Sequence, residues 1–399
     1  MGKTKQGTAS LLLVILISYF VVGFPDGAFT ISWLGISEEM GLTLAHSGYI
    51  LVAYSVLYTL SGVMLSWLNK FMRLQTIYVV GLAIMGAGFI TLAFAQSFAI
   101  VLGSIAIYGW GTGAMASSMN AYMAKHFSAR HNNWMHSVWG VGATFTPLLM
   151  SQMMLLFSWR MGYYAITAIL TVVAIILLIS MYKKIWINSN DSEAVKEAEQ
   201  EKVVAKKRYL TKTWHQIVEI ATFFFLGGTD YTLVFFTGAV LMNRGLSLEA
   251  VALFPAVYYA CMTIGRIVFG TLAKWLKEVS VIRIGCVIAF GGILVLYFTS
   301  SIVGMAMTGL GLAPLLPTLV SDTSNRFTPY IISKLVGYEL AAFGAGIAVL
   351  FFMTSLLLEF ISLDVLFPIG IVFIVLVFIC NEVLARAVSA CNKTSDENY

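Results

Sequence analysis

The sequence predicts an all-α membrane protein of twelve transmembrane helices in two pseudo-symmetric six-helix halves, and three observations lead there. Of the 399 residues, 59% are hydrophobic and 11% charged, with a mean hydropathy of +0.87. A soluble domain carries about 25% charged residues, so this surplus of apolar surface must face lipid. The apolar residues gather into twelve stretches of the length a bilayer demands, about 20 residues each. The second half also repeats the first at a fixed offset. This composition excludes a secreted, fibrous or nucleic-acid-binding protein.

The first span, 11–36, follows Lys3 and Lys5 as the apolar core of a signal peptide would. It runs on past Asp26 without a small-residue cleavage pattern, which makes it a spanning helix. The next five are 46–68, 74–96, 98–124, 134–157 and 160–182, joined by short polar or basic connections. A polar segment, 184–213, then carries Glu193, Glu197, Glu199 and Glu201 ahead of Lys202, Lys206, Lys207 and Arg208. Acid before base on a helix-capable stretch reads as a solvated linker near the inner headgroups. It separates an N-terminal half, 1–183, from a C-terminal half, 214–399. The second half supplies spans at 214–241, 249–273, 280–300, 302–323, 335–357 and 361–385.

Twelve spans put both termini on one side. If that side is the cytoplasm, 21 of the 24 Lys and Arg residues fall inside, Arg326 among them as a loop residue. Only Arg160 and Arg244 fall outside, and Arg266 lies within a span. This is a positive-inside asymmetry, and it predicts a multi-pass inner (plasma) membrane protein with cytoplasmic termini. Cys261, Cys286 and Cys380 lie in spans and Cys391 in the tail, so no disulfide framework is implied.

A shift of 204 aligns Gly23 with Gly227, Asp26 with Asp230, Gly41-Leu42 with Gly245-Leu246, Tyr54 with Tyr258, Lys70 with Lys274 and Gly81 with Gly285. It also places Gly140 and Gly142 on Gly344 and Gly346, and Arg160 on Asp364. A constant register over the first three spans marks an internal repeat. Parallel six-helix repeats around a central cavity are an architecture of secondary transporters, with substrate bound near the bilayer midplane.

The motifs sharpen this. Gly23-Phe24-Pro25-Asp26-Gly27 lies in the first span, and Gly227-Gly228-Thr229-Asp230 lies early in the seventh. Gly265-Arg266 closes the eighth span, and Gly309-Leu310-Gly311-Leu312-Ala313-Pro314-Leu315-Leu316-Pro317-Thr318 runs through the tenth. Gly109-Trp110-Gly111-Thr112-Gly113 with Asn120, and His136 with Gly140, Gly142 and Pro147, mark the fourth and fifth. On these stretches the chain resembles the major facilitator superfamily over nearly its whole length, and within it the fucose permease-like group. The resemblance implies the major facilitator fold, alternating access, and uptake of a sugar or similar polar metabolite with a proton. Two departures stand out. The usual G-x-L-A-D-R-x-G-R loop reads Ser66-Trp67-Leu68-Asn69-Lys70-Phe71-Met72-Arg73 and has lost its acid. Ala116 stands where a glutamate precedes the span-four asparagine.

Charges inside spanning helices cost about 2.5–3.5 kcal/mol each on insertion scales, so each needs a reason. The acids well inside spans read as Asp26, Asp230 and Glu339, with Arg266 and His136 as basic or switchable groups. Asp26 and Asp230 share a repeat position and follow Pro25 and Gly228, which can loosen helical packing beside a cavity. They read as a pair serving both substrate and proton, since a carboxylate in a low-dielectric cavity is what a proton carrier requires. Glu339 in span eleven reads as a further proton carrier or as a helix-start carboxylate paired with Lys334. His136 changes charge near neutral pH and joins the coupling set, or is held by Asn132, Asn133 or a backbone carbonyl. Asn120, Trp110, Trp139, Tyr54, Tyr231 and Tyr258 complete the substrate-binding candidates, aromatic faces covering sugar C–H surface while polar groups meet hydroxyls. Arg266, Lys70 and Lys274 are the gating candidates, with Arg266 snorkelling to the cytoplasmic face.

No enzyme signature is visible: Gly111-Thr112-Gly113 lacks the strand and acid of a dinucleotide site, and no P-loop lysine is present. No cofactor and no metal is expected. The expected partners are a small-molecule substrate, protons and the lipid bilayer, for a chain acting as a monomer. The competing reading is a proton-antiporting exporter of drugs or amphipathic metabolites, for which 19 Met would supply adaptable contacts.

Overall fold

The computed structural model describes residues 2–127, 129–186, 210–272 and 275–396. The chain divides into two compact units, Met1–Glu201 and Lys202–Tyr399.

In the N-terminal unit the first expected span is α1 (Gly2–Phe20) and α2 (Phe24–Met40), joined by a 3-10 turn at Val21–Gly23. Then follow α3 (Leu44–Val63) with the short α4 (Leu65–Leu68), α5 (Leu74–Ala93), α6 (Phe98–His126), α7 (Ala129–Leu156) and α8 (Trp159–Tyr182). The C-terminal unit runs α9 (Thr213–Asn243), α10 (Leu248–Leu272), α11 (Glu278–Thr299), α12 (Ile302–Leu312), α13 (Leu315–Arg326), α14 (Pro329–Phe360) and α15 (Leu366–Asp396). Every expected span is therefore helical, and the architecture is that of an all-α, multi-pass membrane protein. Among the described residues, ten segments are long and apolar enough to cross a bilayer. Those built on α3 and α7 mix His, Ser, Thr, Tyr or Asn into their apolar runs and fall outside that ten.

The breaks have local causes. Pro314 lacks an amide hydrogen and its ring crowds the preceding turn, so the tenth span divides into α12 and α13 there. Gly41 and Gly245, the repeat-related residues at the ends of α2 and α9, take φ values of +62° and +90°, which favour glycine and reverse the chain.

The repeat governs packing as well. Leu11, Ile15, Ser18 and Tyr19 of α1, with Val22 of the 3-10 turn, are buried, and so are His215, Glu219, Thr222, Phe223 and Leu226 of α9, each 204 further on. The same offset carries Leu170, Val173 and Leu177 of α8 onto Ile374, Val377 and Asn381 of α15. The fourth and tenth spans are the exception, for their register is 200. Gly109 lies against the Tyr54 backbone and Gly309 against that of Tyr258. A Cβ on Gly111 would stand 2.5 Å from the amide nitrogen of Met85, and Gly311 meets Ala289 in the same way. Both spans end on a phenylalanine with extended backbone, Phe127 and Phe327. The next helix, α14, starts one turn earlier than α7 and restores the offset of 204 at the Gly142 and Gly346 contacts.

Candidate functional site

In the N-terminal half Asp26 is half-buried in the first turn of α2, just past the 3-10 break. It lies within electrostatic reach of the hydroxyls of Tyr54 and Tyr58 on α3 and Tyr108 on α6. The Tyr54 ring sits 5.8 Å from that of Tyr58 and 5.5 Å from that of Tyr108, centroid to centroid. The sequence singled out Asp26 and Tyr54; Tyr108 joins them because α6 crosses α3 at Gly109, where a side chain would strike Tyr54.

In the C-terminal half Asp230 is also half-buried and accepts a hydrogen bond from the Tyr258 hydroxyl. Tyr258 is the repeat partner of Tyr54, so a carboxylate and a tyrosine recur together on the same two helices of each half. Here, however, α9 continues unbroken through Gly227-Gly228. The loosening expected before both aspartates occurs only before Asp26, where proline follows a 3-10 turn. Arg266 of α10 lies within electrostatic reach of both Asp230 and Tyr258, and its guanidinium also contacts Met262 Sδ at 3.5 Å. Its repeat position in the other half is Gly62. Arg266, expected to snorkel to the cytoplasmic face and brace a gate, thus belongs to the electrostatic surroundings of Asp230. Tyr231, half-buried, follows Asp230 on α9.

Asn120 and His136, taken separately in the sequence, bond to each other: His136 Nε2 lies 3.1 Å from Asn120 Oδ1, with Tyr19 edge-on to the imidazole. Trp110 and Trp139 are half-buried on α6 and α7, and the Trp139 carbonyl faces Gly23 across the α1–α7 approach.

Glu339 is fully buried and does not pair with Lys334, whose ammonium sits over the Tyr330 ring at 5.2 Å. Its Oε1 accepts from Thr323 Oγ1 at 2.8 Å. Beside it lies a charge cluster that sequence reasoning missed. Arg326, assigned to a cytoplasmic loop, is 2% exposed and ends α13 within the fold. It donates to Glu219 at 2.8 Å, to Asp322 Oδ2 from Nε at 2.9 Å and to Asn381 at 2.6 Å, joining α9, α13 and α15. Glu219 and Asp322 both stood within the expected spans, so the acids inside spans number more than the three first named. The signal available was Glu219 in a run otherwise short of charge.

Lys70 is exposed in the turn after α4, and Lys274 lies outside the described residues. At the other end of each half an arginine ties helix ends together. Arg160 bonds Glu39 at 2.5 Å and the Ala95 carbonyl at 2.7 Å, stacked 4.2 Å over Trp159. Arg244 bonds Asp364 at 2.6 Å and the Tyr297 carbonyl at 3.1 Å.

A family model, that of the Major Facilitator Superfamily, matches residues 15–338. The chain belongs to the Major Facilitator Superfamily. It is thereby a membrane transporter and not an enzyme. No curated protein matches its sequence. Among solved structures it is similar to the peptide transporter POT in complex with sulfate, at 13% identity and a TM-score of 0.74, over 96% of this chain and 95% of that one. A bacterial homologue of the human lysosomal transporter Spinster, inward-facing and occupied, is similar at 14% identity and TM-score 0.68, over 98% and 97%. The transporter FucP in its outward conformation follows at 13% and 0.61, over 94% and 98%. At such identities these likenesses concern the fold. For this superfamily member, the motif glycines mark helix crossings, as Gly111 and Gly311 do.

Proposed function

We propose that this superfamily member is a proton-coupled secondary transporter that takes up a sugar or similar small polar metabolite by alternating access. It acts as a monomer in the inner membrane with both termini in the cytoplasm. The observation that carries the reading is the repeated pairing of a half-buried carboxylate with a tyrosine, Asp26 with Tyr54 and Asp230 with Tyr258. A carboxylate amid phenols can exchange a proton and accept hydrogen bonds from substrate hydroxyls, while the rings cover apolar sugar faces. The resemblance to the fucose permease-like group and the fold likeness to FucP support the substrate class. The cytoplasmic termini rest on the Lys and Arg asymmetry. The two arginines expected outside, Arg160 and Arg244, are each paired with an acid, which lessens their cost there.

The test is transport into liposomes containing the purified protein. Acidifying the outside drives accumulation of a sugar from a mixed panel, and Asp26→Asn removes accumulation while leaving exchange. An acid gradient without effect on any sugar overturns the proposal.

A further inference from the structure

The cluster at Arg326 contains more acid than base. Three carboxylates, Glu219, Asp322 and Glu339, share one guanidinium, and Arg326 directs its hydrogen bonds to Glu219, Asp322 and Asn381. Glu339 receives none of them. Its one hydrogen-bond partner is the Thr323 hydroxyl, 2.8 Å away, and its second oxygen, Oε2, is buried with no partner. An ionised carboxylate so placed would be nearly bare of donors, a costly state in a protein interior.

Thr323 makes the point sharper. Its Oγ1 lies within hydrogen-bond distance of both Glu339 Oε1 and the Leu319 carbonyl, at 2.8 and 3.1 Å. A hydroxyl has one hydrogen to give. If Glu339 were ionised, it, the Leu319 carbonyl and the nearby Glu219 carboxylate would all be acceptors for the one threonine hydrogen, and at least one would go unserved. If Glu339 carries a proton on Oε1, that proton goes to Thr323 Oγ1 and the threonine hydrogen goes to Leu319, so both contacts are satisfied in sequence.

Among the described residues no side chain besides Thr323 is seen to donate to Glu339: Arg326 bonds Glu219, Asp322 and Asn381, and the Asn381 Nδ2 makes no hydrogen bond. Glu219 from α9 and Arg326 from α13 lie within electrostatic reach of Glu339; Asp322 and Asn381 are bonded to Arg326, Cys380 of α15 lies near Glu219, and His215 stands one turn before Glu219 on α9. Lys334, on α14 itself, is exposed against Tyr330. Among the described residues no three acidic, imidazole or thiol side chains converge as a metal site requires.

We infer that Glu339 is the proton-binding group of a second site in the C-terminal half, distinct from Asp230, whose acid form is held by a hydrogen bond to the Thr323 hydroxyl, which in turn donates to the Leu319 carbonyl. On release, the proton leaves Glu339 Oε1 for water, and the Thr323 hydroxyl turns from Leu319 to donate to the new carboxylate. Charge balance in the cluster then changes by one unit. The inference goes beyond the transport reading and does not depend on Asp230 carrying a proton.

Infrared spectroscopy of the full-length protein in liposomes tests it without any transport. At neutral pH the wild type should show the carbonyl band of an un-ionised, buried carboxylic acid. Glu339→Gln should lose that band and Asp230→Asn should keep it. Thr323→Val, which removes the acceptor while keeping the shape, should keep the band and shift its frequency. No loss of carbonyl intensity in the difference between wild type and Glu339→Gln, or a component lost in that difference that is unmoved in Thr323→Val, overturns the inference. So does a band abolished when sodium replaces choline, which would make the site a cation's. Loss of sugar accumulation with the band intact would defeat the transport reading alone.

Discussion

Ile15, Met135 and Leu177 of the N-terminal half occupy the repeat positions that Glu219, Glu339 and Asn381 occupy in the C-terminal half, and all six are fully buried. At the offset of 200 proper to the fourth and tenth spans, Tyr122 and His126 stand where Asp322 and Arg326 do. In the first half these positions close as an aromatic plug: Tyr122 packs on His126 at 4.6 Å and on Trp186 at 5.0 Å, and Trp186 donates to Ser180. In the second half they close as an ionic network sealed by Leu210, Phe327, Leu335 and Leu384. Equal burial on a common backbone plan has therefore been filled with opposite chemistry. Apolar filling suffices for packing, so the helices do not need the charges to hold together. A buried ion network is weak evidence for added stability. Its retention in one half only points to a task.

The largest test of this contrast is removal of the central cation. Arg326→Met strands buried carboxylates and should destabilise by about 3–5 kcal/mol, seen as a large fall in thermal midpoint of the detergent-solubilised protein. Adding Glu219→Met and Asp322→Leu should recover most of the loss, because the C-terminal half then resembles the N-terminal one. If the triple variant is no more stable than the single one, the halves are not interchangeable at these positions.

A smaller effect is expected where the halves agree. Arg160 and Arg244 both clamp helix ends, but the charges are exchanged: the position of Arg160 holds Asp364 in the second half. These pairs are partly exposed, so each arginine-to-alanine change should cost about 1 kcal/mol or less by the same thermal measurement. Exchanging Glu39 and Arg160 together should restore part of it.

The smallest effect concerns His126. Burial, with Lys125 second, lowers its pKa below the usual histidine value. The unfolded chain therefore takes up protons before the folded one, and the aromatic plug contributes stability above the ordinary histidine pKa that is lost as pH falls below it. Partial exposure keeps the effect slight. His126→Phe should flatten the dependence of thermal midpoint on pH between neutral and mildly acidic conditions.

Much of this was legible in the chain. The spans follow from hydropathy and length, and the repeat from an offset that needs only identities such as Asp26 with Asp230. The expected segment 184–213 was less so: its described ends, Trp186 and Leu210, are buried in their own halves, and 187–209 lies outside the described residues. Arg326 was misplaced because a charge after an apolar run resembles a loop residue, and nothing local marks the acid that will meet it. Glu219, 107 residues away, was passed over for the same reason.

The sequence by itself determined that this protein is helical, membrane-spanning and doubled, because hydrophobic burial in lipid is set by composition and period along the chain. Only the tertiary structure decided which polar groups meet. Tyr108 within electrostatic reach of Asp26, Arg266 of Asp230, and Arg326 bonded to Glu219 and Asn381 are relations between distant helices, and the glycine crossings help fix the helix register that brings them together. A one-turn change in that register, such as separates the offset of 200 from that of 204, replaces every such neighbour while leaving the hydropathy of the chain unaltered.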